Sequence, residues 1–583
     1  MQTFYSAEKS VQIVISLLKA HNIKKFVVSP GTTNITLVAS IQQDSFFEIY
    51  SAADERSAAY IACGLAEETN EPVALSCTGA TASRNYVSAL TEAFYRKIPV
   101  LAITATQNVD KVGHLIPQVI DRSTHLNDTV RHSIYIPSIT DDSQIWGCEI
   151  KVNNALLELR RNGGGPVHIN LATTYCPDFS VKILPEYRAI YRVKCGEVFP
   201  ELEYKRIAIF IGSHSRWNQD ELQSIDAFCE KYGAVVLYDH TSGYKGKYGV
   251  LSSLLYVQGS IYKEVQEVDL LIHIGEVSGE YGILNRLQAH NVWRVSEDGE
   301  LRDTFRQLKY VFEMTEKSFF DHYNTIAEPV VGDVNLYVEY KQCYDKIYNA
   351  IPELPFSNIW IAKQLAPQLP EASVLHLGIL NSLRSWNFFE MSHYIDGCSN
   401  VGGFGIDGCV SALIGASLAN RNRLYFGVVG DLAFFYDMNS LGNRHVGSNI
   451  RLMVVNNGVG TEFKNYNHPA SRFGVDADDY MAAAGHYGNK STQLVKHYAE
   501  DLGFEYITAS NKDEFTSVAD RFLTKEHLDK PILFEVFTDS KEESDALCAI
   551  SNIFVEYSKK IERVVRSILG DTGIKVVKKI VKR

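Results

Sequence analysis

The chain has 583 residues, 45% hydrophobic and 22% charged, with a net charge of −12, a profile that fits an ordinary soluble globular protein of about three domains. The acidic balance excludes a general nucleic-acid binder, which needs a basic face. Ten cysteines stand as singles without a CxxC pair, which excludes a metal cage or disulfide framework and reads as reduced thiols.

Residues 11–20 read as an amphipathic stretch and not a signal peptide, because no small-residue cleavage site follows. No uninterrupted apolar run reaches membrane-spanning length, so the expected compartment is the cytoplasm. Over the first 180 residues, short apolar runs alternate with helical patterns. Residues 25–29, 73–77, 100–104 and 167–171 predict buried parallel strands, and Gly163-Gly164-Gly165-Pro166 predicts a turn feeding the last. After the run 46–53, Asp54-Glu55-Arg56-Ser57 opens a small-residue helix over 58–65. A connector at 182–202 leads to a second α/β unit with strands at 206–212, 234–238 and 270–275. Pro329 marks another connector, 329–336. The third unit carries strands at 374–377, 424–429, 450–455 and 532–536. Strands alternating with helices predict right-handed crossovers and parallel sheets covered by helices. The fold class is therefore α/β with three domains, at 1–180, 195–330 and 350–545, and a basic helical tail at 550–583.

The strand at 424–429 ends in Gly430-Asp431, and that at 452–455 ends in Asn456-Asn457-Gly458, so Asp431 and Asn457 are 26 positions apart. One carboxylate and one carboxamide oxygen thus stand at the carboxyl ends of two strands, where open parallel sheets bind ligands. With a backbone carbonyl and phosphate oxygens they complete an octahedral magnesium site, although both dipeptides are also ordinary turns. Gly403-x-Gly405-x-x-Gly408 formally satisfies the dinucleotide fingerprint, with Asp431 near the spacing of a ribose-binding acid. Against it, the segment 393–400 is polar and glycine-broken and does not read as a buried strand. An NAD-binding oxidoreductase stays open as an alternative.

Val28-Ser29-Pro30-Gly31, Asp54-Glu55-Arg56-Ser57-Ala58-Ala59, Cys77-Thr78-Gly79-Ala80-Thr81-Ala82, Gly405-Ile406-Asp407-Gly408, Gly430-Asp431-Leu432 and Asn456-Asn457-Gly458 follow one another in that order. In this the chain resembles the thiamine-diphosphate (ThDP) enzymes, specifically the branch of the menaquinone-pathway synthase, over about residues 1–540. The resemblance implies a pyrimidine-binding domain (1–180), a central domain (195–330) and a diphosphate-binding domain (350–545), the first and last sharing a fold. It implies ThDP and Mg²⁺ as cofactors. Asp431, the Asn457 side chain and the Val459 carbonyl match the metal ligands. The N–H groups of Gly430 and Leu432 and the Ser382 hydroxyl match the diphosphate contacts. Gly79, Gly405 and Ile406 match positions against the cofactor, with Ile406 under its bend. Glu55 matches the carboxylate that hydrogen-bonds the aminopyrimidine, and Gln118 an amide near the thiazolium, so these two are the expected catalytic residues. The family builds its active sites between subunits, which implies a homo-oligomer with Glu55 of one chain facing Asp431 and Asn457 of another.

Departures from the pattern cluster where substrate is expected. Thr33, Gln107 and Val401 stand at arginine positions, Arg384 is shifted two places earlier, and Glu462 replaces an apolar residue. Arginine suits bidentate carboxylate recognition, so its loss beside an added acid predicts repulsion of polyanionic substrates. Thr33, Gln107, Arg384 and Glu462 become the expected substrate contacts. The expectation is a ThDP/Mg-dependent 2-oxo acid decarboxylase or carboligase acting on a small 2-oxo acid such as pyruvate. A keto-sugar or other carbonyl compound is the expected acceptor, and the isochorismate reaction is excluded. A catalytically inactive ThDP-binding regulatory subunit is a further alternative. In the tail, residues 559–583 carry nine Lys or Arg against two acids, a net +7 that leaves −19 for the rest. Ile574, Val577, Ile580 and Val581 share one helical face there, as in a helix that lies on a membrane surface or a partner. A solvated terminal helix has the same pattern.

Overall fold

Runs of Val, Ile, Leu and Ala that are buried on both faces build the sheets of this protein, as in Val100–Thr106 and Val167–Ala172, buried at every position. The structure is a computed structural model that describes residues 4–259, 265–327, 335–487, 490–526 and 528–554. The basic residues 559–583 and residues 329–334 of the second connector lie outside the described residues. The chain forms two compact units: Met1–Glu197 with Asp298–Glu313, and Val198–Glu297 with Met314–Arg583.

In the first unit, six parallel strands lie in the order Glu48–Ser51, Lys25–Val28, Val73–Thr78, Val100–Thr106, Val167–Ala172, His132–Ile136. The helix Lys9–Ala20 is buried from Ser10 through Leu18, which corrects the amphipathic reading. Its polar residues have partners. Gln12 Nε2 donates to the Ser6 carbonyl at 2.7 Å, and Ser16 Oγ accepts from the Tyr187 N–H at 3.2 Å. The connector expected at 182–202 contains a strand, Tyr191–Lys194, paired in parallel with Leu308–Glu313.

The second unit holds two parallel sheets. One has the order Gly249–Leu251, Val235–Tyr238, Ile207–Ile211, Glu267–Ile274, Gln288–Val295. The other runs Asp396–Ser399, Val374–Leu377, Tyr425–Gly430, Ile450–Asn456, Ile532–Phe537, Glu505–Ala509. This last sheet and the six-stranded sheet of the first unit share one order when strands are numbered along the chain, 2-1-3-4-6-5. Each therefore has a switch point between its first and third strands, where the crossovers diverge and leave a crevice at the carboxyl ends. The class is α/β, with parallel sheets covered by helices, as read from sequence. Asp396–Ser399 shows that the segment before Gly403 does form a strand, at a sheet edge and half-buried throughout. Among the described residues no helix is long and apolar enough to cross a membrane. All ten cysteines are free of disulfides.

Candidate active site

Tyr425–Gly430 and Ile450–Asn456 are neighbours with Gly430 opposite Val455. That register brings Asp431 and Asn457 out at the same end of adjacent strands, on the wall of one pocket with Ile379, Ser382, Ile406 and Val459. Asp431 is 5% exposed. Its Oδ1 accepts from the Leu432 N–H at 2.8 Å and its Oδ2 from the Gly458 N–H at 2.7 Å. Burial pushes its carboxyl up to about 6, with these N–H groups pulling the other way. The Leu432 N–H expected at the diphosphate is thus engaged with Asp431. Asn457 Oδ1 is buried and has no hydrogen-bond partner among the described residues, a state that buried amides rarely leave unanswered. The turn carrying it is pinned by Asn456, whose Nδ2 donates to the buried Glu535 Oε1 at 2.7 Å. Tyr506 donates to the other Glu535 oxygen at 2.7 Å.

An orphaned amide oxygen beside a buried carboxylate fits a hard cation that takes its remaining ligands from a phosphate. Among the described residues no group of three or more His, Cys, Asp or Glu could hold a metal. Ser382 is 2% exposed and its hydroxyl accepts from Asn358 Nδ2 at 3.2 Å. At Gly405 a Cβ would lie 2.6 Å from Oδ1 of the exposed Asp407, whose side chain would have to swing aside. Two wall residues carry no sequence signal that reasoning could use. Leu380 adopts φ +70° immediately before Asn381, a conformation an L-residue holds only under constraint. Glu543, from the helix Ser540–Ser551, accepts the Asn358 N–H with both oxygens, at 3.0 and 3.1 Å.

Arg384 and Glu462 come together. Arg384 Nη2 donates to Glu462 Oε1 at 2.9 Å and Nη1 to Asn381 Oδ1 at 3.0 Å. The other Glu462 oxygen accepts from Asn465 at 3.3 Å. The acid is therefore neutralised inside the fold and presents no free charge to a ligand. Val401 is 3% exposed and packs as core.

The first unit carries the other expected residues. Asp54 caps the helix Glu55–Thr69 by accepting from the Ser57 N–H at 2.9 Å, which fixes Glu55 in the first turn. Ala58, Ala59, Ala62 and Ala66 are buried on that helix, small enough to seat it closely on the sheet. The Glu55 carboxylate is half-buried and lies close enough to Cys77 to act on it. Burial chiefly pushes the Cys77 thiol up to about 12, with Glu55 adding to the rise and Tyr86 opposing it. At the switch point Gly31 allows a close approach, because a Cβ would fall 2.1 Å from Thr78 Oγ1. Gly79 likewise packs on the Ala105 carbonyl, 2.8 Å from where a Cβ would stand. Thr33 does not point to open space: its hydroxyl donates to the Ala105 carbonyl at 2.9 Å. Gln107 accepts from Lys111 Nζ at 2.6 Å and donates to Tyr175 at 3.1 Å. Gln118 is exposed with φ +64°.

Fold and pocket fit a class, the α/β enzymes that hold a diphosphate cofactor through an oxygen-liganded cation at the ends of parallel strands. Comparison with known proteins narrows it. Residues 9–125 match the family described as thiamine pyrophosphate enzyme, N-terminal TPP binding domain. The 2-succinyl-5-enolpyruvyl-6-hydroxy-3-cyclohexene-1-carboxylate synthase of Bacteroides thetaiotaomicron is 30% identical over 568 residues, 93% of this chain and 98% of its own. That of Bacteroides fragilis is 29% identical over 562 residues, with the same two coverages. The Rhodococcus jostii RHA1 thiamine diphosphate-dependent 4-hydroxybenzoylformate decarboxylase covers 91% of this chain and 99% of its own, at 16% identity and a TM-score of 0.39, too distant to bear on function. The chain belongs to the 2-succinyl-5-enolpyruvyl-6-hydroxy-3-cyclohexene-1-carboxylate synthase family of thiamine-diphosphate enzymes, which use ThDP with Mg²⁺.

Proposed function

We propose that this protein decarboxylates 2-oxoglutarate and joins the remaining succinyl unit to isochorismate. The products are CO2 and the cyclohexene carboxylate for which its relatives are named. Bound ThDP supplies a nucleophilic thiazolium carbon and a ring that holds the electron pair left when CO2 departs. Asp431, Asn457 Oδ1 and the Val459 carbonyl would hold Mg²⁺, which would neutralise the diphosphate. Ser382 and Ile406 would form the wall facing the cofactor. Glu55 would donate a proton to the aminopyrimidine ring nitrogen, and Gln118 would orient a carboxylate or water near the reacting carbon. Active sites completed between two copies of the chain are part of this reading.

The observation that carries it is correspondence to named synthases along 98% of their length, together with the Asp431–Asn457 pocket. It replaces the expectation of a small mono-carboxylate donor and the exclusion of isochorismate. That expectation is overturned by the relatives' name, and its physical premise is weak in this fold. Glu462 is already paired with Arg384, so it does not repel anions. Thr33 and Val401 are structural positions, and Lys111 stands at Gln107. The test is incubation of the full chain with ThDP, Mg²⁺, 2-oxoglutarate and isochorismate, following CO2 and the joined product by mass spectrometry. Failure to consume isochorismate under conditions where pyruvate is decarboxylated would overturn it.

A further inference from the structure

Arg122 lies four residues after Gln118 and is 5% exposed. Its Nη2 donates to Asn170 Oδ1 at 2.5 Å, while Nε and Nη1 are buried with no hydrogen-bond partner. No carboxylate pairs with it among the described residues. Its neighbour Asp121 accepts from the Ser123 N–H at 2.8 Å and lines the same cavity without pairing with the guanidinium, and a second cation, Arg84, adds its repulsion to the cost of burial. Burial draws the guanidinium down to about 10, so it is still charged at neutral pH. An unpaired buried charge costs several kcal/mol, a cost that folds retain where a ligand answers it.

The space beside it suits such a ligand. Arg122 lines a cavity of about 470 Å³ with Thr106, Gln107, Ser133, Tyr135 and Asn170, within the range of small-molecule sites. Lys111 reaches Gln107 at its wall, so a second positive group stands near. On its other side the guanidinium abuts Gly79, where a Cβ would lie 3.1 Å from both terminal nitrogens. Gly79 ends the third strand at the switch point of this sheet, next to where the cofactor's pyrimidine end is expected.

We propose that Arg122 is a specificity-determining residue that binds a carboxylate of a substrate held in this cavity, taking over the work of the arginines absent at positions 33 and 107. This rests on the synthase reading, though the chemistry recognised is a small carboxylate in any case. The burial of Arg122, 5% exposed on a cavity wall, favours a small molecule over a macromolecular partner.

The test compares wild type with Arg122→Met and Arg122→Lys, each loaded with ThDP and Mg²⁺. Calorimetric titration uses two probes that need no turnover: succinate for the donor and 3-cyclohexene-1-carboxylate for the acceptor. Arg122→Met should lose binding of one probe by roughly tenfold or more, with ThDP affinity unchanged, and Arg122→Lys should restore part of it. The melting temperature of Arg122→Met should equal or exceed that of wild type, because removing an unpaired buried charge relieves the fold. A merely structural arginine would give the reverse, a lower melting temperature with probe binding intact. Binding of both probes unchanged in Arg122→Met, or of neither by wild type, overturns the proposal. Wild type that binds a probe through Arg122 yet leaves isochorismate unconsumed would fail the synthase reading and leave this one standing.

Discussion

Asp431 and Asn457 present the sharpest case of residues whose geometry states a need. A buried carboxylate and an orphaned amide oxygen on one pocket wall are costly unless a cation unites them. Asp431→Ala should weaken ThDP binding by roughly a hundredfold and abolish its dependence on Mg²⁺. Calorimetry in magnesium and in chelator reads this, and equal affinities for the variant and wild type would remove the metal site from Asp431. Glu55 has the opposite character: half-buried, exposed to what comes next to it, and without a hydrogen bond or ion pair among the described residues. Glu55→Gln should leave ThDP affinity within a few-fold and lower kcat by roughly 10² to 10⁴, because an amide cannot pass a proton to the aminopyrimidine. Exchange of the bound cofactor's C2 proton with deuterated water should slow in step. Exchange at the wild-type rate would reduce Glu55 to a helix-start acid. These residues were legible in the sequence because each belongs to a local motif. Arg122 was not, because its neighbours Gly79 and Asn170 come from other strands and only the fold shows that no acid meets it.

At the scale of elements, the strands that sequence reading found are central ones, and those it missed lie largely at sheet edges. Val100–Thr106 is buried at every position, whereas Glu48–Ser51, Asp396–Ser399 and Glu505–Ala509 are half-buried or exposed along most of their length. An edge strand needs no continuous apolar run, so its signature vanishes into that of a loop. The polar, glycine-broken segment 393–400 does not read as a buried strand, and Asp396–Ser399 within it is an edge strand, half-buried throughout. Helix ends carry their own prediction. Glu543 bridges the helix Ser540–Ser551 to the start of the helix Asn358–Leu365. Burial raises its carboxyl to about 7, above the ordinary value near 4.3 that an unfolded chain gives it. The folded state thus binds the proton more tightly. The stability this contributes is full below about pH 4.3 and is lost as pH rises through about 7. Glu543→Gln should therefore flatten the fall in melting temperature between pH 5 and 8 relative to wild type. Parallel profiles for the two proteins would show that the bridge carries no linked proton.

For the whole molecule, identical 2-1-3-4-6-5 strand order in two sheets places a crevice of the same kind at the carboxyl ends of each. One crevice carries Gly31 and Gly79, the other Asp431. Under the proposed function, with the cofactor closed between such crevices on two copies of the chain, the active protein is at least a dimer. Light scattering of the full chain should therefore give a mass of twice 65.4 kDa or a higher even multiple, and a monomer active at all dilutions would contradict intersubunit sites. The charge distribution bears on a second whole-molecule property. The net +7 of residues 559–583 against −19 elsewhere predicts salt-sensitive binding to anionic vesicles, each basic residue near the surface adding about 1 kcal/mol. Deletion of those residues should abolish the binding and spare synthesis of the joined product. Cosedimentation equal for full-length and truncated protein would remove a membrane role from these residues.

The sequence by itself determined the α/β class, the central strands and the cofactor, because each is written in short stretches: a buried run, a strand-ending Gly-Asp, a capped small-residue helix. Only the tertiary structure decided the edge strands, the shared sheet order, the neutralisation of Glu462 by Arg384, and the unpaired charge of Arg122. Each of these depends on what stands opposite a residue across the fold. A charge paired or left unpaired across the fold is invisible along the chain, so substitutions alone do not exclude the isochorismate reaction for which the relatives are named.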